Sequence, residues 1–154
     1  MGLFSFLKNA GAKIFKSSKK EEVQKVEKEV TLSKIEALRQ EVTRLNLPIN
    51  GMSLDLGEQI IVEGSTNTNA EREKVILALG NINGVSSVDD RITVMNPEPE
   101  ATFYTVQRGD SLSKISKAQY GDPMKYQGIF EANQPMLSHP DKIYPGQVLR
   151  IPTL

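Results

Sequence analysis

The five residues Asn96-Pro97-Glu98-Pro99-Glu100 constrain the fold of this chain more than any other feature. Proline fixes its own φ and keeps the preceding residue out of the helical region, so this segment favours a stiff, extended connection. It therefore divides the 154 residues into two small units. We place the connection at 96–101, a first domain at 33–95, a second at 102–152, and an N-terminal segment with a charged tether at 1–32.

The part after the connection has the pattern of two strands and two helices. The alternation around Tyr104 predicts a strand, and Gly109-Asp110-Ser111 supplies a turn and a helix N-cap. Asp122-Pro123 begins a second helix, with proline in the first helical position. A strand at Val148–Ile151 returns, with alternate residues on opposite faces. The predicted order is βααβ.

Four motifs in this part resemble a LysM domain: the YTV strand core, the RGDSL turn, IFEANQP at the end of the second helix, and IYPGQVLRIP in the returning strand. In LysM domains a sugar groove lies between the first turn and the loop before the last strand. The resemblance therefore implies peptidoglycan or N-acetylglucosamine binding as one function. The groove residues, which also form the turns and core of such a fold, would be Gly109, Asp110, Ser111, Leu112, Ile143 and Tyr144.

The part before the connection has an αββαββ pattern. Apolar residues three and four apart predict helices, alternating runs predict strands, and Gly57-Glu58 supplies a hairpin turn. A capping box formed by Thr68 and Glu71 begins the second helix, and Gly80 ends it. The predicted elements are helix Ser33–Asn46, strands Ser53–Leu56 and Gln59–Glu63, helix Asn69–Gly80, and strands Val85–Val88 and Ile92–Met95.

The motifs IIVEG, ALGNINGV and VSSVDDRITV resemble a BON domain over Ser33–Met95. The resemblance implies an α+β protein in which a BON domain with a docked N-terminal segment precedes a LysM domain. It also leaves phospholipid binding, through the BON domain and the apolar N-terminus, as an alternative function.

Composition excludes several kinds of chemistry. Nineteen basic residues balance nineteen acidic ones, which argues against a nucleic-acid-binding protein. There are no cysteines, and the single histidine, His139, lies in a predicted loop, so thiol and histidine-centred catalysis are not expected. Asp89 and Asp90 are adjacent in a strand and face opposite ways, and carboxylates at the spacing of a divalent-ion loop are missing from the sequence. We predict that the protein is not an enzyme.

The first fifteen residues, MGLFSFLKNAGAKIF, place their apolar side chains on one side of a helix-like stretch. Two interpretations compete: an interfacial membrane helix, or a helix docked on the protein. We favour docking, because Gly11 weakens a continuous helix. The next stretch, Ser17–Glu29, is highly charged and reads as a solvated helix or tether. The apolar residues are Leu3, Phe4, Leu7, Ala10, Ile14 and Phe15.

Export is not expected. Ala10-Gly11-Ala12 looks like a cleavage site, but the apolar run before it is short and no Lys or Arg precedes that run. No apolar stretch approaches the ~20 residues of a membrane span. We therefore predict a cytoplasmic protein without stable membrane insertion.

The end of the Asn69–Gly80 helix is suited to a cation. Its last carbonyls carry the negative end of the helix dipole and run into a turn between Gly80 and Gly84. Neutral carbonyls that converge favour a large, weakly charged cation. From local sequence alone, a helix C-cap whose carbonyls are satisfied by water explains the same residues.

The whole chain resembles the bacterial cytoplasmic potassium-binding proteins. The resemblance rests on MGLFSFLKNAG at the start, one BON domain, the proline-broken linker, one LysM domain, and no export signal. It implies a K⁺ sensor or buffer that changes conformation on binding, with any protein or glycan partner bound through the LysM domain. The stretch 16–32, which looks like an insertion, and Ala12, where relatives carry a longer polar residue, depart from the family pattern. The implied K⁺ ligands are the main-chain carbonyls of Leu7, Ala10, Ala12, Gly80, Ile82 and Val85.

Overall fold

The computed structural model describes residues 2–6 and 25–154 and shows an α+β fold, as predicted. A short 3₁₀ helix at Pro123–Lys125 precedes the last α-helix. The elements are β1 (Gly2–Ser5), α1 (Lys25–Arg44), β2 (Asn50–Leu56), β3 (Ile60–Thr68), α2 (Asn69–Gly80), β4 (Ser87–Asn96), β5 (Thr102–Thr105), α3 (Leu112–Tyr120), α4 (Tyr126–Ala132) and β6 (Val148–Ile151).

Strands β1 to β4 form one sheet in the order β1-β4-β3-β2. Strands β3 and β4 are parallel, in register from Ile60 opposite Val88 to Thr68 opposite Asn96. Helix α2 connects them, because parallel neighbours need a crossover. The predicted capping box begins α2: the Thr68 hydroxyl accepts from the Glu71 N–H at 3.3 Å, and the Glu71 carboxylate accepts from the Thr68 N–H at 3.2 Å. We call this sheet, with α1 and α2, the first unit.

Several boundaries in the first unit differ from the sequence prediction, and β2 begins at Asn50 rather than at Ser53. The predicted strands Val85–Val88 and Ile92–Met95 are one strand, β4, because the charged residues between them keep the strand alternation. Asp90 is buried and lies 3.5 Å from the Arg72 guanidinium, whereas Asp89 pairs with Arg91 on the outer face. Strand β3 runs five residues further than predicted, and α1 begins at Lys25 rather than at Ser33.

The described part of the N-terminus is a strand, so the helix-like interpretation is wrong for residues 2–6. Gly2, Phe4 and Phe6 are half-buried, while Leu3 and Ser5 are exposed, which is the two-residue period of a strand. The edge of β4 supplies the hydrogen bonds, with Gly2 opposite Asp90 and Ser5 opposite Ser87. These residues are docked on the first unit. Leu7, Ala10, Ile14 and Phe15 lie outside the described residues, as does most of the charged stretch.

Helix α2 is buried on every side from Val75 to Gly80. It packs against β3 and β4, against α1, and against β6 from the other end of the chain. At its C-terminal end the ring of Phe6 lies over Gly80 so closely that a Cβ on this residue would overlap the ring. Glycine is therefore required here by close packing.

Strands β5 and β6 pair antiparallel and, with α3 and α4, give the predicted βααβ order. The Ser111 hydroxyl caps α3 by accepting from the Lys114 N–H at 3.2 Å, and Asp122 caps the 3₁₀ helix that Pro123 begins. This second unit has a core of its own. Its buried residues are Val106, Leu112, Ile115, Ile129, Leu137, Leu149 and Ile151.

All four residues of β6 are buried, although the sheet has only two strands. Leu149 and Ile151 belong to the core of the second unit, and the alternate residues Val148 and Arg150 contact α2 of the first. A two-stranded sheet is marginally stable alone. The first unit therefore covers the side of β6 that α3 and α4 leave open.

We predict that Gly80→Ala lowers the free energy of unfolding by about 1–3 kcal/mol, because the added methyl displaces Phe6. The gain in helix propensity of about 1 kcal/mol acts in the opposite direction, so a measured loss reports the overlap. Urea denaturation provides the measurement. Gly57→Ala is the matched control, since nothing lies within 4 Å of its new Cβ. In the Phe6→Ala background the cost of Gly80→Ala should shrink, and a Gly80→Ala protein as stable as the wild type would contradict this packing.

Candidate functional site

The turn after α2 holds three of the six predicted carbonyl ligands. The Asn81 N–H donates to the Leu77 carbonyl at 3.0 Å, which ends the helix, and the Val85 N–H donates to the Ile82 carbonyl at 3.1 Å. Gly84 has a φ of +99°, the left-handed conformation that glycine adopts without strain. Gly80, Ile82 and Val85 are all buried. Because they lie within six consecutive residues, their three carbonyls belong to one loop.

Two of these carbonyls accept no main-chain hydrogen bond from the residues that the structure describes. Among residues 2–6 and 25–154, no N–H donates to the carbonyl of Gly80 or Val85. The Ile82 carbonyl accepts a hydrogen bond from the Val85 N–H. The C-terminal end of a helix carries about half a negative charge. The turn therefore presents buried, neutral acceptors at the negative end of α2.

The N-terminal strand leads the chain to this turn. Phe6 packs on Gly80, and its N–H donates to the Ser86 carbonyl at 2.8 Å. The residue that follows Phe6 is the first of the other three predicted ligands, Leu7, Ala10 and Ala12, which lie outside the described residues. The described part of the N-terminus therefore ends at Phe6, beside the turn.

The chemistry available at other positions is limited. Within the described ranges, no three His, Cys, Asp or Glu side chains group closely enough to hold a metal ion. Burial raises the pKa of Asp90, partly offset by the N–H of Ile92 and by Arg72, and Asp89 faces away from it. His139 is exposed, and its ring nitrogen accepts from the Asp141 N–H. Asp90 and His139 are each hydrogen-bonded to a residue two positions further along the chain.

The side chain of Asn81 joins the turn to the second unit. Its Nδ2 donates to the Val148 carbonyl at 2.9 Å, and its Oδ1 accepts from the Val148 N–H at 2.8 Å. On the same edge of β6, the Asn133 side chain bonds the N–H and carbonyl of Arg150 in the same way, at 2.8 and 2.9 Å. Two amides, one from each unit, thus replace a neighbouring strand. Sequence reasoning assigned Asn81 only to the turn.

A buried ion pair lies beside this joint. The Arg150 guanidinium donates to Glu73 at 2.8 Å, and the other Glu73 oxygen accepts from the Ala101 N–H at 3.2 Å. Glu73 is 1% exposed and Arg150 is 8% exposed. Removing one partner of such a pair typically costs about 3–5 kcal/mol, because the other charge stays buried. The sequence signal was a lone base on a short apolar strand, whereas Glu73 is one of four charged residues in the first half of α2.

An aromatic contact adds to the junction between the units. The rings of Phe4 and Phe103 lie 5.2 Å apart, centroid to centroid, and are inclined by 39°. Phe103 and Met136 of the second unit pack against the core of the first. The N-terminal strand therefore contacts both units.

The predicted sugar groove lies at one end of the β5–β6 pair. The Val106 N–H donates to the Gln147 carbonyl and the Gly146 N–H to the Val106 carbonyl, both at 2.8 Å, which sets the two predicted segments beside each other. Leu112 is in the core, Ser111 caps α3, and Ile143 is half-buried against the core. Gly109 is exposed, and burial raises the pKa of Tyr144 to about 12.

Asp110 organises the turn before α3. Its carboxylate accepts from the Tyr104 hydroxyl at 2.7 Å and from the Gln107 N–H at 2.8 Å. These two hydrogen bonds, that of Tyr104 first, lower the pKa of Asp110. Most polar atoms of the predicted groove therefore serve the fold.

We predict that Tyr104→Phe raises the pKa of Asp110 toward its ordinary value, as measured by carbon-detected NMR titration. A carboxyl group with a lowered folded-state pKa stabilises the fold above its unfolded pKa of about 3.9, and this contribution is lost as pH falls through the folded value. The variant should therefore lose less stability on acidification than the wild type. Tyr126→Phe, in the same unit, is the control. An unchanged Asp110 pKa in Tyr104→Phe would refute the assignment.

Comparison with known proteins agrees with this architecture. Residues 104–152 match the LysM domain family model. The chain is 41% identical over 158 aligned positions to the potassium binding protein Kbp of Escherichia coli O6:H1, and the alignment covers 99% of each chain. It is also 36% identical over 129 positions to an uncharacterized protein of Deinococcus radiodurans, covering 77% of this chain and 49% of that one. The chain therefore belongs to the same protein family as Kbp and carries a LysM domain at its C-terminal end.

Proposed function

We propose that this protein is a cytoplasmic potassium-binding protein that holds K⁺ through main-chain carbonyls at the C-terminal end of α2. The observation that carries the proposal is the packing of Phe6 on Gly80, at a turn whose Gly80 and Val85 carbonyls accept no main-chain hydrogen bond from residues 2–6 and 25–154. The full-length similarity to a protein named for potassium binding supports the same ligand.

The proposed ligands are six carbonyls in two groups. Gly80, Ile82 and Val85 supply the first group from the turn, and the second comes from the segment after Phe6. Neutral carbonyls replace the hydration shell of a large monovalent ion, whereas a small divalent ion prefers carboxylates. Because the ligands are main-chain atoms, alanine at position 12 is compatible with the site. The second group is Leu7, Ala10 and Ala12.

Binding would also order the molecule. K⁺ shared by both groups ties the N-terminal segment to α2, and the Asn81 side chain ties the same turn to β6. An ion that binds only this closed arrangement stabilises it by about 2.7 kcal/mol at one hundred times its Kd. We infer that this linkage makes the protein a sensor or buffer whose conformation reports K⁺.

The remaining parts of the proposal concern location and class. The cytoplasmic location follows from the resemblance to cytoplasmic potassium-binding proteins. No helix in the described part of the chain is both long and apolar enough to cross a membrane. Strand β1 uses its apolar residues Phe4 and Phe6 within the protein, which disfavours phospholipid binding through those residues. A non-enzymatic role follows from the similarity to a protein named for potassium binding.

We predict that titration of metal-free protein with KCl shifts the backbone NMR signals of Gly80, Ile82 and Val85, whereas NaCl at equal ionic strength does not. Phe6→Ala should weaken K⁺ binding by about tenfold or more, since the N-terminal segment loses its anchor. Leu3→Ala is the matched control, because Leu3 is on the same strand but 62% exposed. Equal shifts with K⁺ and Na⁺ would overturn the proposal.

A second prediction concerns the joint. In Asn81→Ala, K⁺ should still shift the signals of the turn, but its effect on Val148 and Arg150 should fall sharply, because both Asn81 hydrogen bonds to β6 are gone. Asn83→Ala is the control: this asparagine lies in the same turn, and its side chain bonds no residue in the described ranges. If K⁺ shifts β6 equally in Asn81→Ala and in the wild type, Asn81 does not couple the two units.

A further inference from the structure

A cavity of about 340 Å³ lies between the two units, on α1, α2 and the loop before β6. Its floor is apolar and includes Leu45, Leu77 and Met136, while Arg44 and Lys142 stand at its rim. At roughly 30 Å³ for each non-hydrogen atom, it holds a molecule of about ten such atoms. Clefts at domain interfaces with an apolar floor and a few polar groups are typical binding sites for small molecules.

Two polar side chains of this cavity, Tyr144 and Gln147, have a donor without a partner among the described residues. Gln147 is 6% exposed; its Oε1 accepts from the Tyr144 N–H at 3.2 Å, and its Nε2 donates to no residue that the structure describes. The Tyr144 hydroxyl likewise has no partner in residues 2–6 and 25–154. Neither atom is fully enclosed by the protein, so both donors are accessible to a ligand in the cavity. These donors therefore point to a ligand rich in acceptors.

The charge at the rim favours an anion. Glu41, the one acidic residue of the lining, is held by Arg44 through hydrogen bonds of 3.0 and 2.6 Å. Lys142 makes no ion pair with a described residue. Because Arg44 neutralises Glu41, the ammonium group of Lys142 gives the lining of the cavity a net positive charge. A carboxylate or phosphate at this position would gain a charge-assisted hydrogen bond.

We propose that this interdomain cavity binds a small organic anion, with an apolar body on the Leu45–Met136 floor and a carboxylate or phosphate near Lys142 and Gln147. Such a ligand contacts both units at once and stabilises their docking. The site adjoins the predicted sugar groove at Tyr144, but its lining includes no residue of the turn Gly109 to Leu112. It is also distinct from the proposed ion ligands Gly80 and Val85, although Ile82 contributes to its wall.

Phenyl phosphate is a suitable probe, since its ring matches the floor and its phosphate the rim. We expect it to shift the NMR signals of the Gln147 side-chain amide and of Tyr144 in the full-length protein. Lys142→Gln should weaken this binding by about tenfold, the loss of one charge-assisted contact. Lys125→Gln, an exposed lysine of the same unit outside the cavity, should leave the binding unchanged.

Three outcomes would overturn this inference. The first is the absence of shifts at Gln147 and Tyr144 with millimolar phenyl phosphate. The second is equal binding of benzyl alcohol, which has no anionic group, or equal binding by Lys142→Gln. The third is a set of shifts centred on Gly109 to Leu112. Each result is read from the probe in buffer of fixed K⁺ content, so it is independent of whether the turn after α2 binds K⁺.

Discussion

The two hydrogen bonds between the Asn81 side chain and the main chain of Val148 connect the two units of this protein. Asn81 begins the turn that carries the proposed ion ligands, and Val148 begins the last strand of the LysM domain. The side-chain amide of asparagine presents an NH₂ donor and a carbonyl acceptor to the main chain, as a neighbouring strand would, so it closes a sheet edge that would otherwise be open. The end of α2 and the edge of β6 are therefore held together by side-chain hydrogen bonds.

Burial of charge makes this arrangement specific. Glu73 and Arg150 form an ion pair across the junction, and the Ala101 N–H donates a hydrogen bond to the other carboxylate oxygen of Glu73. Buried ion pairs contribute little net stability, but a displaced pair would leave two charges without water. Nearby, Arg72 bonds Glu100 of the connection at 3.0 Å and lies close to Asp90. The proline-containing connection is thus held against α2 as it joins the two units.

The sequence predicted elements that depend on local chemistry. The Thr68 capping box, the end of α2 at Gly80 and the Ser111 cap could all be read from neighbouring residues, as could the βααβ order. The strand at residues 2–5 could not be predicted, because the apolar residues of the N-terminus fit the spacing of a helix as well as that of a strand. Pairing with the edge of β4 selects the strand. The pairing of Asn81 with Val148, 67 residues apart, has no local signal.

The candidate site, too, could be predicted from the sequence only in part. Its turn was predicted from a helix end between glycines, and its ligand set came only from resemblance to a family. The contact of Phe6 with Gly80 was not predicted, although it explains why a glycine ends this helix. Crystals grown with RbCl in place of KCl provide the most direct test, because the anomalous signal of Rb⁺ marks the ion. The account predicts a peak enclosed by the carbonyl oxygens of Gly80, Ile82 and Val85. A peak held elsewhere by side-chain carboxylates, or no peak at this turn, would contradict it.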